Sequence, residues 1–259
     1  MLTALNCELL SETKCYFGGG TRIVLELDEY RESLDIDFLC ADKAGYRKLR
    51  SSITQNSLGA ICIQDLVLLR EVRADMYGIR TFFSLDDTPI KFEIIFEGRI
   101  PLEGEWINNV PVESLGHVAC FAEKLLANAD RARDQSTNYR DLIDLAFMSA
   151  TWPLDKLSQG LSRADKAYGK VVLGELVFAL GQFANRSVRK SCLDNLAVAN
   201  PRKLDRGLKV LRHFSDGPLS RANPESRAAS LSDYELRSNP TYPTTSINKL
   251  PVSPRIYLR

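Results

Sequence analysis

Histidine is almost missing from this sequence: only His117 and His213 occur among 259 residues. The six cysteines (Cys7, Cys15, Cys40, Cys62, Cys120 and Cys192) include no CxxC pair and have no close histidine. Both facts argue against a structural zinc site. Six cysteines in so long a chain also make no disulfide framework, so they read as reduced thiols. Long apolar runs are lacking too. The longest, Val171 to Ala184, is interrupted by Glu175 and Gln182 and is too short to span a bilayer, so it reads as a buried helix. Met1 to Lys14 lacks the basic-then-apolar pattern of a signal peptide, and no internal repeat or long low-complexity tract occurs. The resulting expectation is a cytoplasmic protein with no membrane partner. A composition of 44% hydrophobic and 26% charged residues excludes a mainly disordered chain.

Net charge is also small, +1 from 34 basic and 33 acidic residues, which argues against a uniformly basic nucleic-acid-coating protein. The balance hides an asymmetry. Residues 1–120 carry 12 basic and 19 acidic side chains, net −7, whereas 121–259 carry 22 and 14, net +8. Such a division fits carboxylates holding metal in one part and cations holding a polyanion in the other, or two differently solvated surfaces.

The first part reads as mixed. A helical Leu2–Thr13 leads to a strand at Cys15–Phe17, then a helix over Thr21–Glu29 capped by Thr21. A strand at Leu34–Cys40 and a helix at Ala44–Ile53 follow, then strands at Val67–Arg73, Gly78–Ser84 and Ile90–Gly98. Near residue 115 the period becomes helical: Val118–Arg133, Tyr139–Met148, Leu154–Ser162, Tyr168–Asn185 and Asn200–Phe214. Beyond Gly217 lie six of the eleven prolines among many Ser, Thr and Asn residues, the composition of an extended tail. Its apolar anchors, Tyr242, Ile247, Leu250, Ile256, Tyr257 and Leu258, suggest that part of it packs back on the body.

The most informative stretch is Gly19-Gly20-Thr21 followed by Arg31-Glu32-Ser33-Leu34-Asp35-Ile36-Asp37-Phe38. Alternation along a strand places Asp35 and Asp37 on one face, about 7 Å apart, with Ile36 and Phe38 toward the core. Their mutual repulsion favours a divalent cation, and oxygen-only ligands suit Mg2+ or Mn2+. Ile90-Lys91-Phe92-Glu93-Ile94 repeats the alternation and makes Glu93 a candidate third carboxylate from a neighbouring strand. The Gly-Gly-Thr turn offers backbone N–H groups, a hydroxyl and a helix N-terminus to phosphates. Lys124, Asn128 and Arg131 form one helical stripe suited to β- and γ-phosphates. Asp141 reads either as orienting Lys124 or Arg131 or as pairing at the surface beside Arg140, and Arg140–Asp144 reads as a local surface pair. Between Arg186 and Arg212 stand eight basic residues and two acidic ones. Arg186, Arg189, Lys190, Arg202, Arg206 and Lys209 make a candidate footprint for an RNA backbone.

The order of these motifs resembles the nucleotidyltransferase superfamily that includes DNA polymerase beta. Within it, FGGGT followed by RESLDIDF is similar to the AbiEii/AbiGii-type toxin family, whose pattern is GGT, then RxSxDxDF. Phe121-Ala122-Glu123-Lys124-Leu125 and Tyr139-Arg140-Asp141-Leu142-Ile143-Asp144-Leu145 resemble that family's EKL and RDLxDL helices. The resemblance implies an α+β protein. A nucleotidyltransferase fold, a mixed sheet flanked by helices, would occupy 1–115, with a helical domain at 116–216 completing the NTP and acceptor site and the tail at 217–259. It implies transfer of a nucleotide from an NTP, with Asp35, Asp37 and, less directly, Glu93 as metal ligands and Lys124 and Asp141 as functional residues. Gly19, Gly20, Thr21, Arg31 and Ser33 would join Lys124, Asn128 and Arg131 around the NTP. Thr21 stands where many relatives have Ser, which keeps the hydroxyl. An RNA acceptor such as the tRNA 3′ end and a restraining antitoxin are further implications. Alternatives are a small-molecule or protein acceptor, a glycosyltransferase using the DxD pair, and a non-catalytic nucleotide-binding module.

Overall fold

Two interleaved residue sets along the strands dictate what each face of the sheet meets. The computed structural model describes residues 1–64 and 66–216. In chain order its strands are β1 (Cys15–Gly18), β2 (Ile36–Cys40), β3 (Arg73–Ala74), β4 (Gly78–Leu85), β5 (Thr88–Phe96), β6 (Gly104–Glu105) and β7 (Ser114–Leu115). They form one mixed sheet in the order β3-β4-β5-β2-β1-β7-β6. The neighbours β2 and β5 are parallel, which sets Asp37 directly beside Glu93. The hairpin β4–β5 turns through Asp86 and Asp87, both at positive φ (47° and 62°). Two consecutive left-handed residues match the twist of the flanking strands.

On one face Phe17, Ile36, Phe38, Phe92 and Ile94 pack into an apolar cluster with Leu10, Tyr46 and Leu49. These last three come from α1 (Cys7–Glu12) and α3 (Lys43–Ser51). The other face presents Asp37, Leu39, Glu93 and Ile95 to a cleft beneath α4 (His117–Arg131). Five further helices follow: α5 (Arg140–Ser149), α6 (Leu154–Tyr168), α7 (Val171–Phe183), α8 (Arg186–Asn195) and α9 (Pro201–Asp216). Their core includes Phe121, Leu125, Leu145, Phe147, Leu161, Leu176 and Leu208. Ile23 and Val24 of α2 (Gly19–Glu26) belong to the same cluster, as do Leu27 just after it, Leu39 and Leu115. The change from sheet to helices thus falls near residue 115, while a single apolar core crosses it.

Several expected elements differ. Helix α2 begins at Gly19 with Gly18 as its N-cap, because the Thr21 hydroxyl is engaged elsewhere. The expected strand at Val67–Arg73 reduces to the two-residue β3 and a single bridge between Leu68 and Phe83. Val67 and Leu69 are exposed, while Leu68 packs partly buried against the core, so only one side of this segment meets the apolar cluster. The expected helix Tyr168–Asn185 is interrupted at Gly169, whose φ of +69° ends α6 before α7 begins. A separate α8 lies within the basic region. Among the described residues no helix is long and apolar enough to cross a membrane, and all six cysteines are free thiols. The tail 217–259 lies outside the described residues, with its expected anchors.

Candidate active site

A cleft of about 310 Å³ lies between the β2–β5 face and α4. Gly19, Gly20, Arg31, Ser33, Asp35, Asp37, Glu93, Lys124 and Arg131 of the expected set line it. Thr21, Asn128 and Asp141 do not, and neither do Arg186, Arg189, Lys190, Arg202, Arg206 or Lys209.

The two glycines are needed for close approach. Gly19 adopts φ +69°, and a Cβ there would sit 2.2 Å from Oδ2 of Asp37. A Cβ on Gly20 would lie 2.4 Å from Nη2 of Arg31 and 3.0 Å from Oγ of Ser33. The α2 N-terminus can therefore lie against the acids and the arginine only without side chains. Thr21, buried at 1% exposure, donates its hydroxyl to the Asp35 carbonyl and lies 2.9 Å from the Ser33 hydroxyl. Its structural work is thus to pin the segment that carries the DxD pair to α2.

Asp35 precedes β2 and Asp37 lies within it, on the cleft face as alternation requires. Among the described residues no hydrogen bond or ion pair reaches either carboxylate. Burial, reinforced by Glu93 and Asp35, pushes the Asp37 carboxyl up to about 6. Two oxygen donors with surplus negative charge and no protein cation bonded to them fit a hard divalent ion. Glu93 is less available, since Lys91 donates to its Oε2 and Arg80 to its Oε1 at 3.1 Å. Accordingly, no three His, Cys, Asp or Glu side chains among the described residues are gathered as a ready ligand set. Glu93 would join the two aspartates only by giving up those partners.

The cationic wall is built on two buried carboxylates. Asp144, 0% exposed by side chain, accepts from Arg31 through Nε (2.7 Å) and Nη2 (2.8 Å) and from the Tyr30 hydroxyl (2.6 Å). Lys124 Nζ lies 2.6 Å from Asp144 and 3.1 Å from Asp141. Arg131 reaches Asp141 through Nε (2.6 Å) and Nη2 (2.9 Å). Burial works against the Asp144 charge, but Arg31 and Lys124 outweigh it and hold the carboxyl well below the usual range. Burial likewise opposes the Lys124 charge, and Asp144 and Asp141 more than compensate, so its ammonium is held above its ordinary value.

The expected surface pair Arg140–Asp144 is thus absent. Asp144 turns inward to Arg31 and Lys124, because i, i+4 spacing on α5 gave no sign of a buried cation arriving from residue 31. Asp141 does hold both Lys124 and Arg131, as the sequence suggested. Arg140 instead lines the cleft and makes no ion pair among the described residues. Asn128 is buried at 3% exposure behind the wall, and its Nδ2 has no partner there. Tyr30, Lys91, Arg99 and Glu123 complete the site and its surroundings. Glu123 stands in the EKL motif and Lys91 in the alternating strand that carries Glu93, whereas Tyr30 and Arg99 carried no sequence signal of their own.

Two solved structures from Helicobacter pylori are similar to this chain. JHP933 is 18% identical with a TM-score of 0.45, the match covering 88% of this chain and 93% of that one. A candidate nucleotidyltransferase is 16% identical with a TM-score of 0.46, covering 87% and 92%. No curated protein sequence matches the chain. The model of the nucleotidyl transferase AbiEii toxin family, of type IV toxin–antitoxin systems, matches residues 2–206, and the chain belongs to that family.

Proposed function

We propose that this toxin-family nucleotidyltransferase moves a nucleoside monophosphate from an NTP to the hydroxyl at an RNA 3′ end, such as that of tRNA, in the presence of Mg2+ or Mn2+. The supporting observation is the convergence in one cleft of a side-chain-free helix start, an unpaired Asp35–Asp37 set and cations anchored from behind. Asp35 and Asp37 are the residues that would hold the cation, with Glu93 as a third ligand if released from Lys91 and Arg80. The ion supplies charge neutralisation at the phosphates and activation of the attacking oxygen.

The chain's own groups do the rest. An ammonium has three donors, and Lys124 commits two to Asp144 and Asp141, leaving one for a phosphate oxygen. Arg131 keeps Nη1, and Arg140 keeps its whole guanidinium. Arg31 backs Gly20 and extends the positive wall. In the transfer the acceptor oxygen forms a bond to the α-phosphorus, the bond to pyrophosphate breaks, and the hydroxyl proton is lost to the site or solvent. Catalysis rests on positioning and electrostatics. An antitoxin protein restrains the activity, in keeping with the family's place in toxin–antitoxin systems.

The test is transfer from each α-labelled NTP to total RNA with Mg2+ or Mn2+, with Asp35→Asn and Asp37→Asn alongside. Label on tRNA-sized RNA, reduced at least a hundredfold in both variants, is expected. An Asp37→Asn protein with full activity overturns the assignment. A second reading, a compact small-molecule or protein acceptor, draws on the position of the basic α8–α9 residues outside the cleft. Metal-dependent NTP use without any RNA labelling would favour it.

A further inference from the structure

Among the described residues, two cations serve one acid on the cleft floor and none is bonded to the other two. Arg80 of β4 stands directly across from Glu93 in the antiparallel β4–β5 register, and its Nε lies 3.1 Å from Oε1. Lys91, two residues before Glu93 and so on the same face of β5, brings its Nζ to 2.5 Å from Oε2. Asp37 stands beside Glu93 in the parallel β2–β5 register. One position before the paired Ile36 and Phe92 come Asp35 and Lys91, so the ammonium is also level with the first aspartate. Coulombic attraction alone would draw so flexible a stem toward the acids that lack a cation. Lys91 instead doubles the neutralisation of Glu93.

The two cations differ in where they stand. Lys91 lines the cleft and Arg80 does not, so Lys91 holds Glu93 from the cleft side. Arg80 has a second partner, Asp75 at 3.5 Å, whereas Nζ of Lys91 has no other hydrogen bond or ion pair among the described residues. The Glu93 side chain is 13% exposed and that of Lys91 is 37% exposed. A carboxylate fixed in the sheet is thus covered, on the side that a cation would approach, by one half-exposed ion pair. Such pairs are weak, and a four-carbon stem can swing its ammonium away.

We propose that Lys91 is a displaceable counter-cation, which occupies the cleft-side oxygen of Glu93 and withholds this third carboxylate until a divalent ion at Asp35 and Asp37 competes it away. Lys91 acts through Glu93 and is therefore a positioning residue. Its ammonium spares the cation-free sheet a third bare carboxylate beside Asp37 and lowers the affinity of the site for the ion. The inference rests on the cation reading above and deepens it.

The experiment measures Mn2+ binding to the full chain without nucleotide, from the electron paramagnetic resonance signal of the free ion. The proteins are wild type, Lys91→Met, Lys91→Arg, Glu93→Gln, the double variant Lys91→Met/Glu93→Gln, Asp35→Asn and Asp37→Asn. Lys91→Met should tighten Mn2+ binding by about tenfold. In the Glu93→Gln background the same change should tighten it by less than about threefold, because no third carboxylate is there to release. Lys91→Arg keeps a cation and its donors, so its affinity should stay close to that of wild type. An equal gain from Lys91→Met in both backgrounds would make Lys91 a neighbouring charge and nothing more, which overturns the inference. Lys91→Met protein that binds Mn2+ no more tightly than wild type overturns it too. Mn2+ binding that Asp35→Asn and Asp37→Asn leave untouched would instead remove the cation reading itself, and this inference with it.

Discussion

Asp37 illustrates how a single residue's burden marks a site. Its carboxyl is raised from an ordinary 3.8 to about 6 by burial and by two like charges, and no protein cation is bonded to it. Between those values the folded state holds more protons than the unfolded one, so the Asp37 contribution to stability falls as pH rises from about 4 to about 6. Above that window the ionised group costs about 3 kcal/mol in the cation-free protein. Asp37→Asn removes the cost. With chelator present, the variant should therefore be more stable than wild type at pH 7.5 and not at pH 4, as read by urea denaturation. Added Mg2+ should stabilise wild type and leave the variant almost unmoved. A less stable variant at pH 7.5 would show that the carboxylate is satisfied by the protein alone.

At the scale of elements, α5 does the organising through one carboxylate. Asp144 joins Arg31 from the loop after α2 to Lys124 of α4, so its loss leaves two cations buried without their shared partner. Asp144→Ala should cost about 3–5 kcal/mol by denaturant unfolding, far more than an exposed pair would. Glycine positions give a second contrast. A Cβ on Gly207 of α9 would sit 1.8 Å from the Ala146 carbonyl oxygen of α5, whereas Gly174 of α7 faces open space. Gly207→Ala should therefore destabilise by 2 kcal/mol or more, and Gly174→Ala should stabilise by up to about 1 kcal/mol, in thermal unfolding. These contacts also show where sequence reading stops. Period-2 alternation placed Asp35, Asp37 and Glu93 on one face correctly, because face is a local property of a strand. The Asp144 partnership joins residues 113 positions apart, and local spacing suggested Arg140 instead. Thr21 was legible as important, yet its hydroxyl turns to the Asp35 carbonyl rather than to the cleft. The break at Gly169 went unseen because both sides are apolar at helical spacing.

Across the whole molecule the charge asymmetry becomes spatial through α8 and α9. The segment joining them is stitched to the loop that carries Arg31: Ala199 N–H donates to the Tyr30 carbonyl at 2.7 Å, and Glu32 N–H to that of Leu196 at 3.2 Å. Lys203 reaches Asp28 of the same loop at 3.4 Å. The basic surface is thereby fixed relative to the cleft though it does not line it, an arrangement suited to an acceptor whose end enters the site while its backbone lies outside. Not every basic residue is available, since Arg189 pairs with Asp205 and Lys190 with Asp194. Arg202, Arg206 and Lys209 are exposed on one side of α9, and among them Arg206 spends one nitrogen on the Ala150 carbonyl. If these three carry an RNA backbone, replacing them with glutamine should raise KM for RNA and leave NTP binding unchanged. The salt dependence should identify the cause. Each lost contact to single-stranded RNA lowers the slope of log K against log salt by about 0.7, so the triple variant should flatten it by about 2. An unchanged slope, with RNA still labelled, would move the polyanion contact away from α9. A normal rate on a compact acceptor with no effect of the triple change would favour the smaller substrate.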